Sequence, residues 1–126
     1  MAIKNKKLFD QLMYYLNNNT DKTVLIVTWN YQRARYICDI LLNNLRNTKY
    51  YSVNVFDEII TNINNNQIIF ITNANLHISM YKLLGSIFDC VYYDVIPEYD
   101  LNQEIRIRLN KHACLAIYDV SRDNNE

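Results

Sequence analysis

Leu8, Phe9, Leu12, Met13 and Leu16 recur at the spacing of one helical face, which predicts an amphipathic helix from Lys6 to Asn18 that ends in asparagines. The pattern then changes. TVLIVTW, Thr23 to Trp29, is a continuous β-branched run, as expected of a strand covered on both faces. From Tyr31 the residues Ala34, Ile37, Cys38, Leu41 and Leu45 return to a period of 3.6 with Arg33, Arg35 and Asp39 elsewhere, a second helix to about Leu45. YYSVNV reads as a short strand, and Phe56, Ile59, Ile60 and Ile63 as a short helix after it. QIIFIT, Gln67 to Thr72, is another buried strand. Leu76, Met80, Leu83 and Leu84 mark a helix whose end is set by Gly85, the residue most tolerant of a left-handed cap. FDCVYYDV follows as a strand and Pro97 breaks the chain. Asp100 with Gln103 then forms the pattern of a capping box for a helix carrying Leu101, Ile105 and Leu109, with Glu104 and Arg108 paired at i and i+4. CLAIYDV, Cys114 to Val120, is the last strand.

Strands without clean alternation, separated by helices of ordinary length, indicate βαβ units joined by right-handed crossovers. The expected fold is α/β, a three-layer α/β/α arrangement with a mostly parallel sheet of four to five strands. Residues 1–120 form one domain, and 121–126, SRDNNE, a polar tail.

Composition narrows the function classes. Half of the 126 residues are apolar, enough for one domain with a real core. Thirteen basic residues balance thirteen acidic ones, so no bulk field draws the chain to DNA or to an anionic membrane, and nucleic-acid contact requires a local patch. The apolar runs are too short to cross a bilayer, and MAIKNKK lacks the apolar segment of a signal peptide; a soluble, cytoplasmic protein is expected, in the host-cell cytoplasm if it is viral. Cys38, Cys90 and Cys114 lie far apart among apolar neighbours and read as small buried hydrophobes. The skew towards Asn, Ile, Tyr and Lys follows AT-rich codons, which accounts for the eleven tyrosines better than a base-stacking surface does. The asparagine runs 17–19 and 64–66 read as loops.

In such sheets chemistry sits beyond the carboxyl ends of the strands. Here those ends carry Thr28, Trp29 and Asn30; Thr72 and Asn73; Asp94 and Glu98; Asp119 and Ser121. Residues of these types also cap the helices that begin there. Asp94, Glu98 and Asp119 are the catalytic candidates, and Asp94 the candidate for a metal, because hard cations take carboxylate oxygens. Arg33, Arg35, Arg106, Arg108 and Lys111, with Lys82, are the candidates for a phosphate-backbone surface. His77 and His112 are isolated and read as helix-surface residues, without the neighbours a metal site needs. Cys114 with His112 lacks a third, orienting group for nucleophilic catalysis.

The order of pieces from Val24 to Asp119 resembles the core of RecA-like P-loop ATPases, especially the large terminases of viral DNA packaging and, less closely, superfamily 2 helicases. VTWNYQRARYICDIL, NNNQIIFITN, IFDCVYYDVIPE and EIRIRLNKHACLAIYD match that family's segments in order and spacing, with IFDCVYYDVIPE resembling the Walker B strand. The resemblance implies that Asp94 matches the magnesium-side acid. The departures are specific. A phosphate loop needs glycines, a lysine and a hydroxyl, and no glycine precedes Gly85; the helix that would follow such a loop opens on Asn5, Lys6 and Lys7. The second Walker B acid is replaced by Val95, with Glu98 displaced. The strand before the loop is missing, which implies a domain without one central strand and with a gap or exposed edges for a partner to cover. The expectation is a catalytically silent module that needs no cofactor and binds a protein partner or a second copy of itself, with nucleic acid as a further ligand through a local patch and no membrane contact. The alternative is a small magnesium-dependent phosphodiesterase or nucleotide-binding protein that uses Asp94, Glu98 and Asp119 with magnesium and ATP.

Overall fold

A computed structural model describes residues 6–44, 60–63 and 65–117. In chain order its elements are α1 (Lys6–Asn18), β1 (Thr23–Thr28), α2 (Tyr31–Asn44), β2 (Ile60–Ile63), β3 (Asn66–Thr72), α3 (Leu76–Leu83), β4 (Phe88–Tyr93), α4 (Tyr99–Arg106) and β5 (Leu109–Ile117). The strands form one sheet in the order β2-β3-β1-β4-β5. β3, β1, β4 and β5 run parallel, and β2 pairs antiparallel with β3 at one edge.

The apolar runs become inner strands because both of their faces are covered. Val24, Ile26, Ile68, Phe70, Cys90 and Tyr92 face Leu12 and Leu16 of α1 and Ala34, Ile37, Cys38 and Leu41 of α2. The alternate residues Leu25, Val27, Ile69, Ile71, Val91 and Tyr93 face Leu83 of α3 and Leu101 and Ile105 of α4. These two apolar layers, one on each side of the sheet, make the expected three-layer α/β/α fold.

Several local expectations give way. Ile60 to Ile63 is a strand, not a helix: Asn62 and Ile63 pair with Gln67 and Asn66, and Asn65 turns the chain at φ 66, a conformation asparagine tolerates. YYSVNV, Phe56 and Ile59 lie outside the described residues, as do Asp119 and Ser121. The capping box at Asp100 does not form; Glu98 is the N-cap of α4 without a side-chain bond, and Asp100 sits inside the first turn. Leu109 and His112 belong to β5 rather than to a helix, because α4 stops at Arg106 and the backbone N–H of Phe88 bonds Arg108 O at 2.8 Å, drawing the chain into the sheet. Glu104 and Arg108 do pair, at 2.5 Å. Among the described residues no gap interrupts the sheet: each strand pairs directly with the next in the order β2-β3-β1-β4-β5.

The asparagine runs do more than turn the chain. Asn18 and Asn19 donate side-chain amides to Tyr14 O and Tyr15 O, taking up carbonyls left open at the end of α1. Asn66 is fully buried; its Oδ1 accepts the Lys22 N–H and its Nδ2 donates to Leu16 O and Asn19 O, tying α1 to β3. Gly85, at φ 73, ends α3 as expected.

Candidate functional site

The direction of the connections locates the site. From β1 the chain crosses through α2 towards the β2 edge, whereas from β4 it crosses through α4 towards β5. β1 and β4 are neighbours, so the two connections part above them and leave a crevice at their carboxyl ends, the topological switch point of the sheet.

That crevice is spanned by one ion pair. Asp94 follows β4 immediately, and its backbone N–H continues the ladder by bonding Val27 O at 2.9 Å. Its side chain is 3 % exposed. Asn30, after β1, accepts the Arg33 N–H on Oδ1 at 2.9 Å, the bond of an N-cap to the third residue of its helix. Side chains in a first helical turn lean back towards the helix start, which here carries Arg33 over the crevice. Its Nε donates to Asp94 Oδ2 and its Nη2 to Asp94 Oδ1, both at 2.9 Å, a bidentate fork. The Arg33 guanidinium also lies 5.3 Å from the centre of the Tyr36 ring. A buried carboxylate thus has a fixed, permanently charged organic cation on both of its oxygens.

Asn73 closes the neighbouring part of the rim. Its backbone N–H bonds Thr28 O at 3.1 Å, and its amide donates to Ile96 O at 2.9 Å and accepts the Glu98 N–H at 3.0 Å. The loop after β4 is therefore clamped to the ends of β3 and β1. Thr72 and Ser79 exchange bonds one layer below, with the Ser79 hydroxyl donating to Thr72 O and accepting the Thr72 N–H.

The other candidates are dispersed. Glu98 is exposed at the head of α4, with no side-chain cap bond there, whereas Asp94 is buried, and Asp119 lies outside the described residues. No group of three or more His, Cys, Asp or Glu residues suited to a metal occurs among the described residues. Arg35, on α2, is ion-paired with Asp39 at 3.7 Å. Arg106, Arg108 and Lys111 sit where α4 runs into β5, on the other side of the sheet from α2, and the Lys82 ammonium bonds Phe70 O. The basic candidates thus do not share one face. His77 and His112 are exposed, on α3 and β5 respectively. Cys38 and Cys90 are buried as expected, but Cys114 is exposed, because β5 is an edge strand. Burial, and then Cys114, push the Cys90 thiol up, which keeps it protonated at neutral pH. Burial likewise raises Tyr92 and Tyr93, and raises Tyr15, whose ring meets Tyr92 edge-on, to about 12.

Arg33 entered the sequence reading only as a basic residue. The signal that finds its role is the cap itself: Asn30 three residues before Arg33, directly after a buried strand, aims that side chain at the carboxyl rim.

Four parallel strands with helices on both faces make an α/β fold, consistent with a truncated RecA-like domain. Among solved structures it is similar to the large terminase of a thermophilic bacteriophage, with TM-score 0.65 and 10% identity over 87% of this chain and 29% of that one. The same terminase in complex with ADP gives TM-score 0.61 and 11% identity over the same shares of the two chains. The likeness is one of fold, and this chain spans less than a third of the terminase's length. Neither a scan against protein-family profiles nor a search of curated proteins finds a match.

Proposed function

We propose that this chain is a catalytically silent RecA-like module that acts by binding a protein partner in viral or mobile-element DNA metabolism. The observation that carries the reading is the Arg33–Asp94 fork. The one carboxylate buried at the switch-point crevice among the described residues is engaged on both oxygens by a guanidinium from its own chain, where a nucleotide hydrolase needs an oxygen for magnesium. The chain's single glycine, Gly85, ends α3 and is not available to cradle a phosphate. The likeness to a phage terminase supplies the setting. β5 supplies a surface: among the described residues it is an edge strand, with Leu115 51 % exposed, suited to main-chain pairing with a strand from another protein or a second copy. The dispersed basic residues speak for protein rather than nucleic acid as the partner.

Calorimetric titration with magnesium and ATP tests the silence. Wild type and Asp94→Ala are both expected to give no binding heat. Heat in the wild type that disappears in Asp94→Ala overturns the proposal and favours the magnesium-dependent enzyme. Light scattering with hydrogen exchange then sorts the partner. A dimer protected at Cys114–Ile117 identifies a second copy, and a monomer assigns the partner to another protein.

A further inference from the structure

Three free cysteines serve the core unequally. Cys38 and Cys90 are buried, and Cys114 is open to solvent. Cys90 and Cys114 are register partners on β4 and β5, so their side chains leave the same face of the sheet side by side. Neighbouring strands run about 4.8 Å apart, within the roughly 4.4–6.8 Å that a disulfide spans between Cα atoms. The thiols feel each other, since Cys114 adds to the upward push on Cys90.

The small adjustment that a bond requires falls on the element best able to make it. The register of the β4–β5 ladder shifts just before this pair, from Phe88↔Leu109 to Cys90↔Cys114, so six residues of β5 run beside three of β4. Such an irregularity lets a strand bend locally. β5 also has no strand on its outer side among the described residues.

We propose that Cys114 and Cys90 form a thiol–disulfide exchange site for low-molecular-weight disulfides of the glutathione type, with Cys114 as the entry thiol and Cys90 as the resolving one. The Cys114 thiolate attacks one sulfur of the small disulfide; that S–S bond breaks and one small thiol leaves with the proton given up by Cys114. The Cys90 sulfur, once deprotonated, attacks the Cys114 sulfur, the mixed disulfide breaks and a second small thiol departs. Two protein thiols lose two electrons, and the small disulfide gains them as two thiols. The product staples the edge strand to β4 at one register.

Native wild-type protein is treated with glutathione disulfide and followed by intact mass, thiol titration and peptide mapping. Before treatment one thiol, Cys114, reacts rapidly with an aromatic disulfide reagent and two react slowly. The expected product is about 2 Da lighter, has lost the rapid thiol, and retains only Cys38 as a thiol after denaturation. A transient species about 305 Da heavier precedes it. Closure accelerates about tenfold per pH unit between pH 7 and 8, because Cys90 must ionise first. Cys114→Ser abolishes both species, Cys90→Ala stops at the heavier one, and Cys38→Ala changes neither. The proposal fails if the wild type halts at the mixed disulfide with Cys90 still a thiol, if Cys114 joins two chains instead, or if Cys114→Ser forms the same product.

Discussion

The two ends of the central strands solve the same problem with different chemistry. At the amino end of β3 a polar side chain, Asn66, is wholly buried, and all three of its hydrogen bonds go to backbone groups of Leu16, Asn19 and Lys22. At the carboxyl ends of β1 and β4 the buried group is a charge, Asp94, and its side-chain oxygens are met by another side chain. A neutral amide paired with the backbone loses little on burial and contributes to folding in the ordinary way. Two charges moved out of water roughly break even, and a well-packed apolar pair fills such a space at no greater cost. The amino end is thus built for stability. The carboxyl end spends stability on keeping one carboxylate in one place, held by Arg33.

The largest way to disturb this contrast is to remove one charge. Arg33→Ala leaves Asp94 buried and unpaired, and a loss of about 3 kcal/mol is expected in urea unfolding. The double substitution Arg33→Met with Asp94→Leu recovers most of it. If the single and double variants unfold alike, the pair is not the feature that distinguishes this end. Next in size is the amino end. Asn66→Ala strands the Lys22 N–H and the two carbonyls, at a cost of about 2 kcal/mol, and no second substitution elsewhere restores it because the partners are backbone. A smaller effect belongs to Gly85→Ala. Its added methyl meets open space, so the cost of about 1 kcal/mol comes from the left-handed φ alone.

Neither end should govern the response to alkali, which belongs to the sheet's interior. Burial favours the protonated forms of the Cys90 thiol and of Tyr92, Tyr93 and Tyr15 in the folded chain. The stability they contribute is whole below their ordinary values of 9.0 and 10.0 and drains away as pH climbs towards the raised ones, about 12 for Tyr15. Urea midpoints measured from neutral pH upwards should therefore hold to about pH 9 and fall beyond it. A fall of the same size in Tyr92→Phe as in wild type would remove that tyrosine from the account.

The inner strands and the four helices were legible in the sequence because continuous apolar runs and a period of 3.6 both report burial, and burial is what those elements share. Ile60 and Ile63 were misleading, since a spacing of three suits a helix as well as a short edge strand, and only pairing with β3 decides between them. β5 begins five residues before its apolar run, because Asn110, Lys111 and His112 lie exposed along an edge and break the apolar pattern that marks a buried strand. The same edge explains why Cys114 escaped the core that its apolar neighbours suggested. Asp94 could be placed at the crevice from the end of its strand. Its partner, 61 residues away, could not, since neither periodicity nor spacing encodes a side-chain contact between distant elements.

Trp29, the only tryptophan of the chain, is 58 % exposed in the turn between β1 and α2, where its carbonyl accepts the Ala74 N–H and its neighbour Asn30 caps the helix that carries Arg33. The molecule therefore carries its own optical gauge at the mouth of the crevice. Anything that settles there, or any loosening of the α2 cap, registers as a change in indole emission without a label.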